Sequence, residues 1–147
     1  MKIKYLYHGS ARQIEGNYLL PKKAHDLENR AENLHTAIYA SSNKEISIAM
    51  AIISCNGVNL ASLSFRKKPY GIIYEGWPKQ KYIYLYTLPT ESFIQSKRGS
   101  RQWHSLDKVK PLKVQKMEVK KYLRLIRKGT KKEIEAKKKK YGIKDEN

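Results

Sequence analysis

Hydrophobic and polar side chains alternate at the start of the chain and in several later segments, as they do in half-buried β-strands. The alternation predicts strands over residues 3–7, 37–40, 58–65, 71–75, 82–88 and 109–117. Glycine, proline and polar residues are concentrated between these segments, which predicts loops over residues 9–21, 22–36 and 95–107. A single helical turn within residues 22–36 is the alternative there. In the first loop, we expect Leu19 and Leu20 to reach the hydrophobic core.

Residues 43–54 carry a helical repeat instead of a strand pattern. Apolar side chains recur there at helical spacing, at Ile46, Ala49, Met50 and Ile53. Ser42 and Glu45 form a capping-box pattern ahead of the repeat, in which the serine hydroxyl accepts from an exposed backbone N–H. Asn56-Gly57 predicts the end of the helix, because glycine readily adopts the left-handed conformation found there.

These elements predict an α+β protein with a mostly β body and one or two helices. The length of 147 residues fits one domain. We place the body at residues 1–117 and a basic C-terminal helical extension or tail at residues 118–147. Val119, Leu123 and Ile126 lie at helical spacing, which predicts that the extension begins with a helix packed on the body.

Positive charge is the second strong feature of the chain. Lysine and arginine number 31 against 13 aspartates and glutamates, which gives a formal net charge of +18. A field of this sign attracts polyanions, so nucleic acids and nucleotides are candidate partners. A lysine-rich composition that only maintains solubility is the alternative. The candidate nucleic-acid contacts are Lys97, Arg98, Arg101, Lys131, Lys132, Lys137, Lys138, Lys139 and Lys140.

Several classes of protein and site are not indicated by the sequence. No apolar run approaches the ~20 residues of a membrane helix, so we expect no membrane partner. The single cysteine, Cys55, excludes an intramolecular disulfide and favours a reducing, cytoplasmic setting. We expect no metal site, because His25, His35 and His104 lack metal-ligand spacing with Cys55.

The residues with the most specific chemistry lie near the ends of two predicted strands. Gly9 has no Cβ, which would let a flat amide approach the backbone. His8 beside it can donate to a sugar hydroxyl, and Tyr39 offers a flat ring for stacking. Taken singly, His8 fits a structural histidine and Tyr39 an ordinary strand tyrosine. Taken together, they predict a pocket for a planar amide and its ribose.

The sequences His8-Gly9-Ser10 and Tyr39-Ala40-Ser41, the second ahead of a capped helix, resemble the ADP-ribosyltransferases of the diphtheria-toxin and poly(ADP-ribose) polymerase type. The resemblance covers residues 5–54. It implies a split antiparallel β-sheet that clamps NAD with a histidine, a tyrosine and a third residue, usually glutamate, on three strands. The NAD-binding residues that it implies are His8, Gly9, Ser10, Arg12, Tyr39 and Ser41.

The resemblance also implies a role for each of these groups. His8 would hydrogen-bond the nicotinamide ribose, the backbone of Gly9 would hold the carboxamide, and Tyr39 would stack on the nicotinamide ring. The pyrophosphate would be neutralised by Arg12, Arg98 or Arg101.

The third position of the pattern falls on Gln102. In the family, an acidic residue there stabilises the charge that develops as nicotinamide leaves, and an amide lacks that negative charge. By analogy with the loss of one charge-stabilising group, the barrier would rise by about 3 kcal/mol. Glu75 and Glu91, near the ends of predicted strands, are weaker candidates for supplying the charge.

The resemblance therefore implies a mono-ADP-ribosyltransferase that uses His8, Tyr39 and Gln102 and transfers ADP-ribose from NAD to a protein or nucleic-acid acceptor. Two alternatives stay open at this point. One is an RNA 2′-phosphotransferase that also consumes NAD and holds its phosphate with arginines and histidines. The other is a basic nucleic-acid-binding module whose NAD pocket is degenerate.

Overall fold

The computed structural model describes residues 2–23 and 36–141, which form two β-sheets with helices packed against them. The described strands are β1 (Leu6–Ser10), β2 (Lys22–Lys23), β3 (Thr36–Ser41), β4 (Val58–Leu63), β5 (Gly71–Gly76), β6 (Tyr82–Leu88), β7 (Phe93–Gln95), β8 (Gln102–Ser105), β9 (Lys113–Glu118) and β10 (Ile126–Lys128). The described helices are α1 (Lys44–Ile53), a 3₁₀ helix (Val119–Leu125) and α2 (Lys131–Lys140). None of these helices has both the length and the apolar composition of a membrane-spanning segment.

The larger sheet contains seven of the described strands and is antiparallel throughout. Its order is β7-β8-β3-β1-β6-β9, and β2 pairs with β3 off this path. The smaller sheet has the order β10-β5-β4, and β10 runs parallel to β5. This architecture confirms the α+β prediction. It also makes β1, β3 and β8 neighbours, and these are the strands that carry His8, Tyr39 and Gln102.

Helix α1 supplies much of the larger hydrophobic core and packs against both sheets. Its residues Ile46 and Ile52 are fully buried, and they belong to the same cluster as Ile73 of the smaller sheet and Leu85 of the larger one. A second cluster covers the opposite face of the larger sheet, where Leu6, Ile38 and Tyr86 are buried. The larger sheet is therefore covered on both faces, which fixes the register of its central strands.

The segment 95–107 is not the loop that the sequence predicts. It contains the end of β7 and all of β8, joined by a turn in which Gly99 has a φ of 78°. The sequence pattern does not predict β8, because its buried residues Gln102, His104 and Ser105 are polar. Without apolar residues at alternate positions, the strand signal that depends on hydrophobicity is lost.

Helix α1 confirms the predicted helix but begins with a different cap. The side-chain oxygen of Asn43 accepts from the backbone N–H groups of Glu45 at 2.9 Å and Ile46 at 3.2 Å. The predicted capping box with Ser42 as first residue is therefore wrong by one position. The helix ends at Ile53, and Gly57, with a φ of 95°, lies in the turn before β4.

The N-terminal strand begins and ends three residues later than predicted. As a result, His8 and Gly9 lie inside β1 instead of following it. In the next loop, Leu19 is 5% exposed and pairs with Val109, whereas Leu20 is 60% exposed, so the prediction of burial is right only for Leu19. Most of the predicted loop 22–36, with His25 and His35, lies outside the described residues.

The hydrophobic core continues past residue 117, where the predicted body ends. Val119, Leu125 and Ile126 are buried in the cluster around α1. The predicted helix in this segment is a 3₁₀ helix that stops before Ile126, which begins β10. Helix α2 follows, and none of its residues is buried.

The cap of α1 gives a direct stability test. We expect Asn43→Ala to lower the free energy of unfolding by about 1 kcal/mol, because two backbone donors lose their acceptor. Ser42→Ala is the matched control and should change it by less than half as much. Urea denaturation of the two variants measures the difference, and equal effects would contradict the assignment of Asn43 as the cap.

Candidate functional site

One cavity of about 730 Å³ brings together most of the residues singled out by the sequence. It is bordered by the larger sheet, the smaller sheet and the last turns of α1 and α2. Its volume lies in the range of small-molecule sites, about 300–1,000 Å³. The predicted site residues that line it are His8, Gly9, Ser10, Arg12, Tyr39 and Gln102.

The cavity lies where the larger sheet opens between β1 and β3. These strands pair at Tyr7 and Ser41 only, and the register would place Gly9 opposite Tyr39 in a continued ladder. Instead of a backbone group, the imidazole Nδ1 of His8 donates to the carbonyl oxygen of Tyr39 at 2.6 Å. The donor must be the imidazole, since a carbonyl oxygen can only accept. This side-chain bond closes the gap that the missing ladder leaves.

The bond to Tyr39 determines which nitrogen of His8 is available to a ligand. With the proton on Nδ1, the other nitrogen, Nε2, carries a lone pair in the neutral ring. Desolvation lowers the pKa of His8 below its ordinary value of 6.5, although the bond to the Tyr39 carbonyl acts in the other direction and nearby Lys22 adds a smaller lowering. His8 is therefore neutral near pH 7. Its Nε2 is therefore available as a hydrogen-bond acceptor, whereas the sequence predicts that His8 acts as a donor.

His8 and Tyr39 project from opposite faces of the sheet. Tyr7, Ser41 and Gln102 stand side by side across β1, β3 and β8, so their side chains share a face with that of Tyr39, and His8 points to the other face. The ring of His8 accordingly lies 6.3 Å from that of Tyr86. Both residues border the same cavity because the sheet is open beside them.

Gly9 is required by the packing of α1. A Cβ at this position would collide with the backbone carbonyl of Ser47 and would lie 3.0 Å from the Cβ of Ala51. The hydroxyl of Ser47 donates to the carbonyl of Tyr7 at 2.7 Å, which holds the helix close to β1. The side of Gly9 that lacks a Cβ therefore faces the helix. The expectation that this absence makes room for a ligand is wrong, although Gly9 does line the cavity.

Gln102 borders the cavity from the first position of β8. It is 6% exposed and pairs with Ser41 of β3. Its backbone N–H donates to the hydroxyl of Ser100 at 2.9 Å, and its carbonyl accepts from Ser96 at 3.0 Å. The turn between β7 and β8 thus fixes its backbone on both sides.

Negative charge is absent from the described lining of the cavity. None of these residues is an aspartate or a glutamate. Glu75 and Glu91 are exposed and do not border the cavity, so they are not placed to replace the acidic group that Gln102 lacks.

Positive charge borders the cavity at four described residues: Arg12, Lys22, Lys23 and Lys137. Lys22 and Lys23 form the short strand β2, although the sequence pattern predicts a loop there. Arg98 and Arg101, the other candidates for the pyrophosphate, are exposed near the turn before β8 and do not line the cavity. The arrangement favours an anionic ligand.

Aromatic residues of β5, of the loop after β4 and of the C-terminal segment complete the lining. Phe65, Tyr74 and Tyr141 border the cavity, and the sequence analysis missed all three. Their distance along the chain from His8 explains why. No local pattern indicates that residues 65, 74 and 141 reach the first strand.

Ser41 is not brought to the cavity. It is fully buried, and its hydroxyl accepts from the backbone N–H of Asn43 at 3.0 Å. This contact supports the turn that leads into α1, so the role of Ser41 in the described structure is to shape that turn.

The predicted nucleic-acid contacts fall into two groups. Lys97, Arg98 and Arg101 are exposed around the turn between β7 and β8. The other group is on α2, where Lys137 and Lys138 are half-buried and the remaining members are exposed: Lys131, Lys132, Lys139 and Lys140.

Cys55 and the histidines form no cluster for a metal within residues 2–23 and 36–141. Cys55 is buried, and desolvation raises the pKa of its thiol to about 11. It is therefore protonated at neutral pH and unreactive as a nucleophile.

The protonation state of His8 can be measured by NMR. We expect the ring to titrate below pH 6.5, with the proton of the neutral form on Nδ1. Because histidine in the unfolded chain titrates near 6.5, the stability contributed by neutral His8 is complete above that pH and falls as the pH drops below it. A midpoint at or above 6.5, or a proton on Nε2 in the neutral form, would contradict this assignment.

Comparisons with known proteins identify no relative. The chain matches no family model, no curated protein and no solved structure at a significant level. A function must therefore be argued from the cavity and its residues.

Proposed function

We propose that the protein binds NAD in this cavity and transfers the ADP-ribose group to an acceptor, with release of nicotinamide. The observation that carries the proposal is the meeting of His8, Tyr39 and Gln102 at one cavity from three neighbouring strands. Each offers a different interaction to the nicotinamide half of NAD. That set and its order along the chain are what the resemblance to ADP-ribosyltransferases implies.

The nicotinamide end is assigned to the opening between β1 and β3. The ring of Tyr39 stacks on nicotinamide, while the Gly9 backbone holds the carboxamide. The Nε2 atom of His8 accepts from a ribose hydroxyl. Here the bond between His8 and the Tyr39 carbonyl matters most, because it orients the ring and leaves Nε2 as an acceptor.

The pyrophosphate is assigned to the cations at the border of the cavity. Arg12 is exposed there next to Ser10, whose hydroxyl accepts from the Arg12 backbone at 3.2 Å. Lys22 and Lys23 supply further positive charge from β2. Charge-assisted hydrogen bonds from such groups to phosphate are stronger than neutral ones.

In the proposed reaction, the bond between C1′ of the ribose and the nicotinamide nitrogen breaks. Nicotinamide leaves with the electron pair of that bond and becomes neutral. A nucleophile of the acceptor forms the new bond to C1′ and loses its proton. The ribose becomes positively charged as the bond breaks, and the side-chain oxygen of Gln102 offers a dipole to it in place of a full negative charge.

One observation favours a second candidate, the NAD-dependent RNA 2′-phosphotransferase. The described lining has four cations and no carboxylate, which suits a site that receives an RNA phosphate in addition to the phosphates of NAD. The two candidates differ in their products. The phosphotransferase removes a 2′-phosphate from RNA, whereas the transferase leaves ADP-ribose on its acceptor.

Calorimetric titration with NAD, together with chromatography of released nicotinamide, tests the proposal. We expect His8→Ala and Tyr39→Ala each to weaken NAD binding by roughly 3- to 10-fold, the effect of losing one hydrogen bond or one stacking contact. Tyr39→Phe keeps the ring and should bind as the wild type does. Tyr82 lies in β6 outside the cavity, so Tyr82→Ala controls for the effect on binding of removing a tyrosine from the sheet.

Two results would overturn the proposal. One is that the folded wild-type protein neither binds nor consumes NAD. The other is that the His8 and Tyr39 variants bind NAD as well as the wild type. Nucleic-acid binding that persists in His8→Ala without any NAD binding would instead support the degenerate-pocket alternative.

The Gln102→Glu variant, in the same nicotinamide-release assay, tests whether a negative charge at this position speeds the reaction. If Gln102 lies beside the reacting ribose, a carboxylate there should raise the rate of nicotinamide release by about 100-fold. Gln102→Ala should not raise it. An unchanged or lower rate in Gln102→Glu, with NAD binding retained, would show that this position does not stabilise the developing charge.

A further inference from the structure

Helix α2 contributes no fully buried residue to the hydrophobic core. None of its residues is buried, and six of its ten residues are lysines. It is attached to the body through its first turn instead. Thr130 and Glu133 form a capping box, and Arg127 of β10 contacts both oxygens of Glu133, at 2.8 Å and 2.9 Å. This attachment fixes the direction in which the rest of the helix points.

The two faces of α2 differ in their surroundings. Ile134, Lys137 and Tyr141 are spaced three and four residues apart, so they share one side of the helix, and all three are half-buried. Lys137 and Tyr141 border the cavity. The opposite side is exposed and carries Lys131, Lys132, Glu135, Ala136, Lys139 and Lys140.

A cationic and aromatic cluster forms where α2 meets the cavity. The ammonium nitrogen of Lys137 lies 5.4 Å from the centre of the Tyr74 ring and 5.6 Å from that of Tyr141. The hydroxyls of Ser62 and Tyr74 are 2.8 Å apart and bonded to each other. All four residues line the cavity that also contains His8.

The hydroxyl of Tyr141 is the second observation that points to a ligand. It is buried, and it has no hydrogen-bond partner among the described residues. Buried polar atoms are nearly always paired, so such an atom beside a cavity marks a place where a polar group of a ligand belongs. The ammonium nitrogen of Lys137 lies 5.6 Å from the centre of the same ring, and its positive charge suits a phosphate.

We infer that Lys137, Tyr141 and Tyr74 form an acceptor subsite for one nucleotide of a single-stranded polynucleotide, whose backbone continues along the exposed lysines of α2. Lys137 and the Tyr141 hydroxyl contact a phosphate, and the ring of Tyr141 stacks on an unpaired base. A cavity of this size admits single nucleotides and not a duplex. The inference rests on the proposed function only in naming the polynucleotide as acceptor, because binding does not require NAD.

The surface charge favours a polynucleotide over a protein partner. Four lysines and one glutamate lie on the exposed side of α2, next to the lysine inside the cavity. A regular row of phosphates matches such a row of cations, and aromatic side chains add sequence-tolerant stacking on bases. An acidic protein would satisfy the charges, but it lacks the regular alternation of phosphates and flat bases found in a single strand.

Fluorescence anisotropy with labelled 20-nucleotide single strands of DNA and RNA, measured without NAD, tests the inference. Tyr141→Phe removes only the unpartnered hydroxyl, so the fold should be as stable as before, while binding weakens by about 3- to 10-fold. Lys137→Gln should weaken it similarly. Lys113→Gln, which removes the same charge from β9 outside the cavity, is the matched control and should have a smaller effect.

Salt dependence tests the path along α2. Replacing Lys131, Lys132, Lys139 and Lys140 together by glutamine should reduce the slope of log affinity against log salt by about 3 for a single strand. Tighter binding of single-stranded DNA than of RNA, or the reverse, identifies which nucleic acid is the acceptor. Single strands should displace the label better than duplexes of the same length, and better than polyglutamate of equal charge.

Three outcomes would overturn the inference: wild-type affinity in both Tyr141→Phe and Lys137→Gln, equal competition by polyglutamate, or equal affinity for duplex. Thermal denaturation of each variant separates loss of binding from loss of fold. None of these outcomes depends on NAD, so a failure here is distinguishable from a failure of the proposed transferase activity.

Discussion

The hydrogen bond from His8 to the carbonyl of Tyr39 joins two central strands at the point where their backbone pairing ends. The ladder between β1 and β3 contains one pair, Tyr7 with Ser41. Beyond that pair, the two strands are joined by the side-chain hydrogen bond from His8 to the Tyr39 carbonyl, at 2.6 Å. The same bond sets the orientation and the tautomer of His8. The hydrogen bond made by Nδ1 is therefore structural, and it leaves Nε2 of the same ring as a hydrogen-bond acceptor.

The packing of α1 keeps this opening in place. Gly9 allows the helix to approach β1 so closely that a methyl group would collide with the backbone of Ser47. Because α1 also packs against the smaller sheet, its position determines how far the two sheets stand apart. The cavity occupies the space that results. Its nicotinamide-binding candidates come from the larger sheet, and its cationic and aromatic border comes from β2, the smaller sheet and α2.

Local chemistry in the sequence singles out those residues of the central strands that line the cavity. His8, Gly9 and Tyr39 could be predicted because each has a distinct interaction to offer, and Gln102 because it precedes a predicted strand at the expected place in the chain. The capped helix after Tyr39 was also found, since its apolar repeat is regular. Its cap was displaced by one residue because Ser42 and Asn43 are both capable of accepting from the first turn.

The remaining features depend on contacts between distant residues, which a single sequence does not reveal. Strand β8 was not predicted, because its buried residues are polar. The exposure of Leu20 was not predicted either, because Leu20 is as apolar as its buried neighbour Leu19. Lys137 looked like any other lysine of a basic tail. The ion pair of Arg127 with Glu133 holds the first turn of α2, and Lys137 borders the cavity near the other end of the helix. Charge composition thus indicates a polyanionic partner, but not the place on the surface where one would bind.

A crystal structure of the protein with NAD tests the central claim most directly. The account predicts the nicotinamide ring against Tyr39, with a ribose hydroxyl within hydrogen-bond distance of His8 Nε2 and the bond between His8 Nδ1 and the Tyr39 carbonyl intact. Density for NAD elsewhere on the protein, or a His8 ring turned away from Tyr39 in the complex, would contradict it.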